Sequence, residues 1–197
     1  MKLSLATLPL AVAAALLLAV PAANAHGTRY TANLGNFENP ATGSPGTGFA
    51  IVEYNDEDHM LYVAVSFSGL LGNVTNSHIH CCTAAPGNTG VATPTPSFPG
   101  FPSGVTHGFY ERLFDLTLAS SYNNAFRLAN GGTPASAETA LIAGFDAGKA
   151  YWNIHTTRNG GGEIRGFLTP VPEPATYGLM ALGLGVIGVV ARRRKAA

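Results

Sequence analysis

Among the side chains in this sequence that can do chemistry, the histidines have the most informative spacing. His78 and His80 stand two apart in Ser77-His78-Ile79-His80, and His155 follows Asn153 at the same interval in Asn153-Ile154-His155. Residues two apart on a strand face the same side, so each pair points together, as do Glu163 and Arg165 further along. Six polar side chains can therefore share one face. Two chemistries fit that face. In the first, Asn153, Glu163 and Arg165 join the histidines in a hydrogen-bonded network that pins two C-terminal strands to the histidine strand. In the second, His78, His80 and His155 are metal ligands, because three neutral imidazoles with an open position suit Zn²⁺ or Cu²⁺.

Cys81 and Cys82 are the only cysteines, and they follow the histidine pair directly. In an oxidising compartment the expected state is a bond between them, although chain neighbours hold their Cα atoms about 3.8 Å apart, below the usual disulfide range of roughly 4.4–6.8 Å. A link to another molecule, thiolate ligation beside His78 and His80, or one buried and one free thiol are the alternatives. Catalytic signatures are missing: the sequence has no G-x-S-x-G elbow, no H-E-x-x-H and no phosphate-cradling glycine loop. Glu53 and Glu111 can be named as an acid and base, but nothing in the sequence brings them together, and both read as solvated strand positions. A non-enzymatic module is the expectation.

The elements that must position these residues are strands. Glycine and proline punctuate the middle of the chain, and the runs between them favour β-branched and aromatic residues. Strands are expected at Arg29 to Leu34, Gly48 to Asn55, Met60 to Ser68, Ser77 to Cys82, Phe109 to Leu116, Tyr151 to Thr156 and Glu163 to Leu168, with Asn55-Asp56-Glu57-Asp58 closing a hairpin. From Ser136 to Phe145 the sequence runs through Ala, Glu, Leu and Ile, which predicts one short helix capped by Ser136. Thr83 to Ser103, rich in Pro and Gly, reads as a long exposed loop. The fold class expected is all-β, a sandwich or barrel.

Both ends of the chain carry addresses. Behind Lys2 an apolar run from Leu3 to Val20 leads to Ala23-Asn24-Ala25, the layout of a secretory signal peptide over residues 1–25. Cleavage there makes His26 the first mature residue, whose amino group and ring can together chelate copper. At the other end Val171-Pro172-Glu173-Pro174 precedes an uncharged apolar stretch from Ala175 to Ala191 and then Arg192, Arg193, Arg194 and Lys195. A helix of that stretch reaches roughly 25 Å, enough for one span of a thin bilayer, and its basic end is expected to stay cytoplasmic. The body, 26–170, is about the size of one domain. It holds six Lys and Arg against ten Asp and Glu, a net −4 that makes nucleic acid a poor partner.

Several of these segments resemble known families. The proline-glutamate-proline turn, the glycine-rich span and the basic end of residues 171–197 look like the PEP-CTERM sorting signal of Gram-negative bacteria. That resemblance implies an exosortase as partner, residence in the inner membrane facing the periplasm before processing, and then a place at the cell surface or outside the cell. There exopolysaccharide or surface proteins are the expected contacts. Ser77-His78-Ile79-His80, Tyr151-Trp152-Asn153-Ile154-His155-Thr156 and Gly161-Gly162-Glu163-Ile164-Arg165-Gly166-Phe167-Leu168 together resemble the CHRD domain. This resemblance implies an immunoglobulin-like or superoxide-dismutase-like β-sandwich. The H-x-H strand is also similar to copper-site strands of Cu/Zn superoxide dismutases, a family that needs further ligands whose spacing His59 and His107 do not match. His26 resembles the copper brace of secreted polysaccharide oxidases and copper carriers.

Overall fold

A computed structural model of the chain describes residues 27–172 and, beyond them, 178, 180, 182–187, 191 and 192. The expected signal peptide, His26, Glu173, Pro174, Arg193, Arg194 and much of the Ala175 to Ala191 stretch lie outside the described residues; Pro172 and Arg192 are among them. No helix among the described residues is long and apolar enough to cross a membrane.

Alternation builds the larger sheet. In β1 (Thr28–Leu34), β2 (Thr47–Asn55), β3 (Met60–Ser68) and β5 (Gly108–Asp115), every second side chain points inward: Tyr30, Ala32 and Leu34, then Ala50 and Val52, then Leu61, Val63, Val65 and Phe67, then Tyr110 and Phe114. With β8 (Thr169–Pro170) these strands form a five-stranded antiparallel sheet in the order β5-β3-β2-β1-β8. The turn between β2 and β3 closes on the side chain of Asn55, whose Oδ1 accepts from the backbone N–H of Glu57 at 2.9 Å and of Asp58 at 3.2 Å.

The second sheet has three antiparallel strands, β4 (Val74–Cys81), β6 (Ala150–Thr156) and β7 (Ile164–Phe167), in the order β4-β6-β7. One face carries Ile79, Trp152, Ile154 and Ile164, which join the inward side chains of the larger sheet in a single core. Every residue of β6 is buried, so its polar face is covered as well. The molecule is thus mostly β, with two antiparallel sheets.

Two expectations need correction. The stretch from Thr83 to Ser103 is not an exposed loop: Ala92, Thr93, Phe98 and Phe101 are buried, and the Phe98 ring packs 5.1 Å from Trp152 and 5.5 Å from Phe114. The reason is that β4 is an edge strand whose backbone groups need partners. This segment supplies them, with Ala92 N–H donating to Ile79 O at 2.9 Å and Phe98 N–H to Ser77 O at 2.9 Å.

The helical content also exceeds one short helix. A 3₁₀ turn at Ala119–Ser121 leads into α1 (Asn124–Ala129), where Asn123 Oδ1 accepts from Ala125 N–H at 2.9 Å, and then α2 (Pro134–Asp146). The cap of α2 is Thr133 rather than Ser136. Thr133 Oγ1 accepts from the Ser136 N–H at 3.1 Å, and Ser136 Oγ accepts in return from the Thr133 N–H, with Pro134 fitting the first turn.

Candidate metal centre

Strand register assembles the histidines. His78 lies opposite Asn153 across β4 and β6, and Asn153 lies opposite Arg165 across β6 and β7; His80 lies opposite Tyr151, and His155 opposite Asn76. The three imidazoles gather on the face away from the core, with ring centroids 4.6 Å apart for His78 and His155, 4.8 Å for His78 and His80, and 5.8 Å for His80 and His155. One ring nitrogen from each lies within 4.8 Å of the others.

The hydrogen bonds decide which nitrogen that is. Each Nδ1 meets a backbone carbonyl: Pro96 O at 3.3 Å for His78, Thr89 O at 2.7 Å for His80 and Gly160 O at 2.9 Å for His155. A carbonyl only accepts, so Nδ1 carries the proton and the neutral ring leaves its lone pair on Nε2. All three Nε2 atoms are buried without a hydrogen-bond partner. Burial is the main force on their titration. It pushes His78 down to about 3 and His80 down to about 4, and it also lowers His155. His155 and His80 push His78 further down, while the Thr89 carbonyl pulls His80 back up. At neutral pH the three rings are uncharged, the form a metal needs.

Around them sits a framework of which the polar face expected from the sequence includes Arg165 but neither Tyr151 nor Glu38. The Tyr151 ring stacks on His80 with centroids 4.7 Å apart, and the Arg165 guanidinium lies over the same Tyr151 ring, 4.8 Å from its centroid. Arg165 is 0% exposed and ties two chain segments together. Its Nε donates to Phe37 O at 2.7 Å, Nη1 to Asn88 Oδ1 at 2.6 Å and Nη2 to Pro86 O at 2.8 Å, while Glu38 Oε2 lies 3.6 Å from Nε. Strand alternation points to Tyr151, two residues before Asn153. Glu38 gives no comparable signal, since its place depends on a chain reversal after β1.

Glu163 is not on the histidine face. It precedes β7, just after Gly162 with its φ of 124°, so strand alternation does not govern it. Its carboxylate accepts from Ser44 Oγ at 2.6 Å, Leu71 N–H at 2.6 Å, Gly72 N–H at 3.0 Å and Thr156 Oγ1 at 2.7 Å. Burial raises its titration, yet these four donors outweigh that and hold it below the usual carboxylate range. Cys81 and Cys82 are bonded to each other, with Cys81 in the core, on the side of β4 opposite His78 and His80. Among the described residues the group able to hold a metal contains the three histidines and no thiol. Glu53 pairs with Arg29, and Glu111 accepts from Tyr62 Oη at 2.6 Å, so the two carboxylates serve separate partners.

Comparison with protein families matches residues 30–168 to the CHRD domain and residues 170–195 to the PEP-CTERM protein-sorting motif, which implies processing by an exosortase. No curated protein and no solved structure matches the chain.

Proposed function

The chain belongs to the CHRD-domain family and ends in a PEP-CTERM sorting motif, and from that premise we propose that it is an exported, exosortase-processed surface or matrix protein whose module holds a copper or zinc ion through His78, His80 and His155. One observation carries the metal reading: three buried Nε2 atoms on one face have no hydrogen-bond partner, while each Nδ1 is committed to a carbonyl. A buried polar atom left unpaired costs about 1–3 kcal/mol, and three together are unlike a network made to satisfy itself. The carbonyl bonds are the outer contacts that orient metal-binding imidazoles elsewhere.

The address rests on the sorting motif directly behind the module and on the signal-peptide layout of residues 1–25. This division gives a signal of 1–25, a module of 26–170 and a sorting tail of 171–197 with one membrane span. The two sheets sharing one core support an immunoglobulin-like or superoxide-dismutase-like sandwich. Within it the ion ties β4 and β6 to the segments that carry Thr89, Pro96 and Gly160, leaving the outer surface to contact exopolysaccharide or surface proteins.

The metal test is elemental analysis of the full-length chain extracted from membranes without chelator, beside His80→Ala. One equivalent of copper or zinc that the variant loses is expected; wild-type chain that stays metal-free through loading defeats the metal reading. The address is tested by fractionating cells with and without exosortase. A processed form outside the inner membrane, dependent on the enzyme, is expected. Unprocessed chain soluble in the cytosol would overturn that half.

A further inference from the structure

The preference among metals is written in charge and coordination number. The group holds three neutral nitrogen donors and, among the described residues, no carboxylate or thiolate. A zinc ion in a closed site takes four protein ligands, and in a three-ligand site it keeps a water in the fourth position. Here the three Nε2 atoms are sealed from solvent.

Charge points the same way. The cost of burying an ion rises with the square of its charge, so a dication with only neutral ligands costs about four times as much as a monocation. Glu38 lies 3.6 Å from the Arg165 guanidinium and so adds no net negative charge there, and that guanidinium sits over Tyr151, the ring stacked on His80. The surroundings therefore offer no spare negative charge for a second positive one.

Taking the metal reading above as its basis, we infer that the centre is built for copper(I), held by His78, His80 and His155 in three-coordinate form. Copper(I) has a filled d shell, accepts imidazole donors and requires neither a fourth ligand nor an anion. An ion bonded at about 2.0–2.1 Å holds three nitrogens roughly 3.5 Å apart. Separations of up to 4.8 Å must close by about 1 Å on loading, within reach of ring rotations at Cα positions fixed by the sheet. The module on this reading takes the reduced ion as cargo and shields it from water.

The experiment is competition on the full-length chain in detergent: copper(I) under ascorbate and argon against bicinchoninate, and zinc(II) against a chromophoric chelator. One copper(I) per chain is expected, with a Kd at least about a thousandfold below that for zinc(II), and X-ray absorption showing three nitrogen neighbours. Asn153→Asp places a carboxylate opposite His78, and circular dichroism checks that the variant folds. It should narrow the gap between the ions by about tenfold or more. Zinc(II) binding as tightly as copper(I), or a fourth oxygen neighbour on the copper, overturns the copper(I) assignment and leaves the metal centre standing. Failure to bind either ion overturns the metal centre itself.

Discussion

The imidazole of His80 lies flat on the ring of Tyr151, with planes 6° apart, and Tyr151 Oη reaches the backbone of Thr89, whose carbonyl also receives His80 Nδ1–H at 2.7 Å. One tyrosine therefore fixes the tilt of a candidate ligand and the position of its acceptor together. The hydroxyl contacts are long, 3.3 Å from the Thr89 N–H and 3.4 Å to its carbonyl, so the ring does most of this. Tyr151→Phe should cost no more than about 1 kcal/mol and keep the metal. Tyr151→Ala should cost about 3–5 kcal/mol and weaken metal retention, since the stack and a buried ring are both lost. Urea unfolding with metal analysis of each variant reads both effects; equal behaviour of the two would show that the stack positions nothing.

Arg165 is the brace of the covering segments. Removing it leaves the carbonyl of Phe37 without a donor, takes from Pro86 O the shorter of its two hydrogen bonds, and leaves Glu38 without its ion pair. Arg165→Met should lower stability by about 3–5 kcal/mol, the usual penalty for breaking one partner of a buried pair. Arg165→Lys keeps the charge but not the fork, and should recover less than half of the loss. Denaturant midpoints of the three proteins check this order.

The acid response should be set in part by Glu38. Burial pushes its carboxyl up to about 7, against the pull of Arg165 and Asn153. Glu38 Oε1 and Asn153 Oδ1 both lack a donor, and a carboxyl proton supplies one. The folded state thus binds this proton more tightly than the unfolded chain, where the carboxyl titrates near 4.5. Its contribution is fully present below 4.5 and is lost as pH rises through 7, for about 3 kcal/mol in all. The three buried histidines, lowered in the fold, make both proteins gain stability as pH rises toward 6.5. Glu38→Gln, which keeps a donor at all pH values, removes only the opposing Glu38 component, so wild type should lose stability relative to the variant between pH 4.5 and 7. A difference, wild type minus variant, that stays level or rises across that window would contradict the assignment.

What the sequence discloses here is the part ruled by local periodicity. Met60 to Ser68 alternates so regularly that its bounds are those of β3, and the same period of two places His78 and His80 on one face. Period two fails at Glu163 because the residue lies outside the strand, behind a glycine with positive φ. It is also silent on Thr83 to Ser103, where Pro and Gly suggest solvent but the free edge of β4 recruits the segment as cover. The carbonyls of Thr89, Pro96 and Gly160 could not be foreseen. Which backbone oxygen meets an imidazole depends on loop paths, and side-chain patterns do not record them.

The disulfide offers a test in which two opposing effects have different signs. Gly144 of α2 sits on the bonded pair Cys81 and Cys82, and a Cβ there would run into both sulfurs. Alanine in the middle of a helix normally stabilises by roughly 0.5–1 kcal/mol relative to glycine. At this position the clash should win, because the sulfurs are held in place by their bond and Cys81 is part of the core. Overpacking of this kind costs about 1–3 kcal/mol, so Gly144→Ala should be destabilising in the disulfide-bonded protein. In a Cys81→Ala/Cys82→Ala background, where neither sulfur is present, the same substitution should become neutral or stabilising. Thermal unfolding of the four proteins gives the coupling directly. If Gly144→Ala has the same effect in both backgrounds, the helix does not rest on the disulfide.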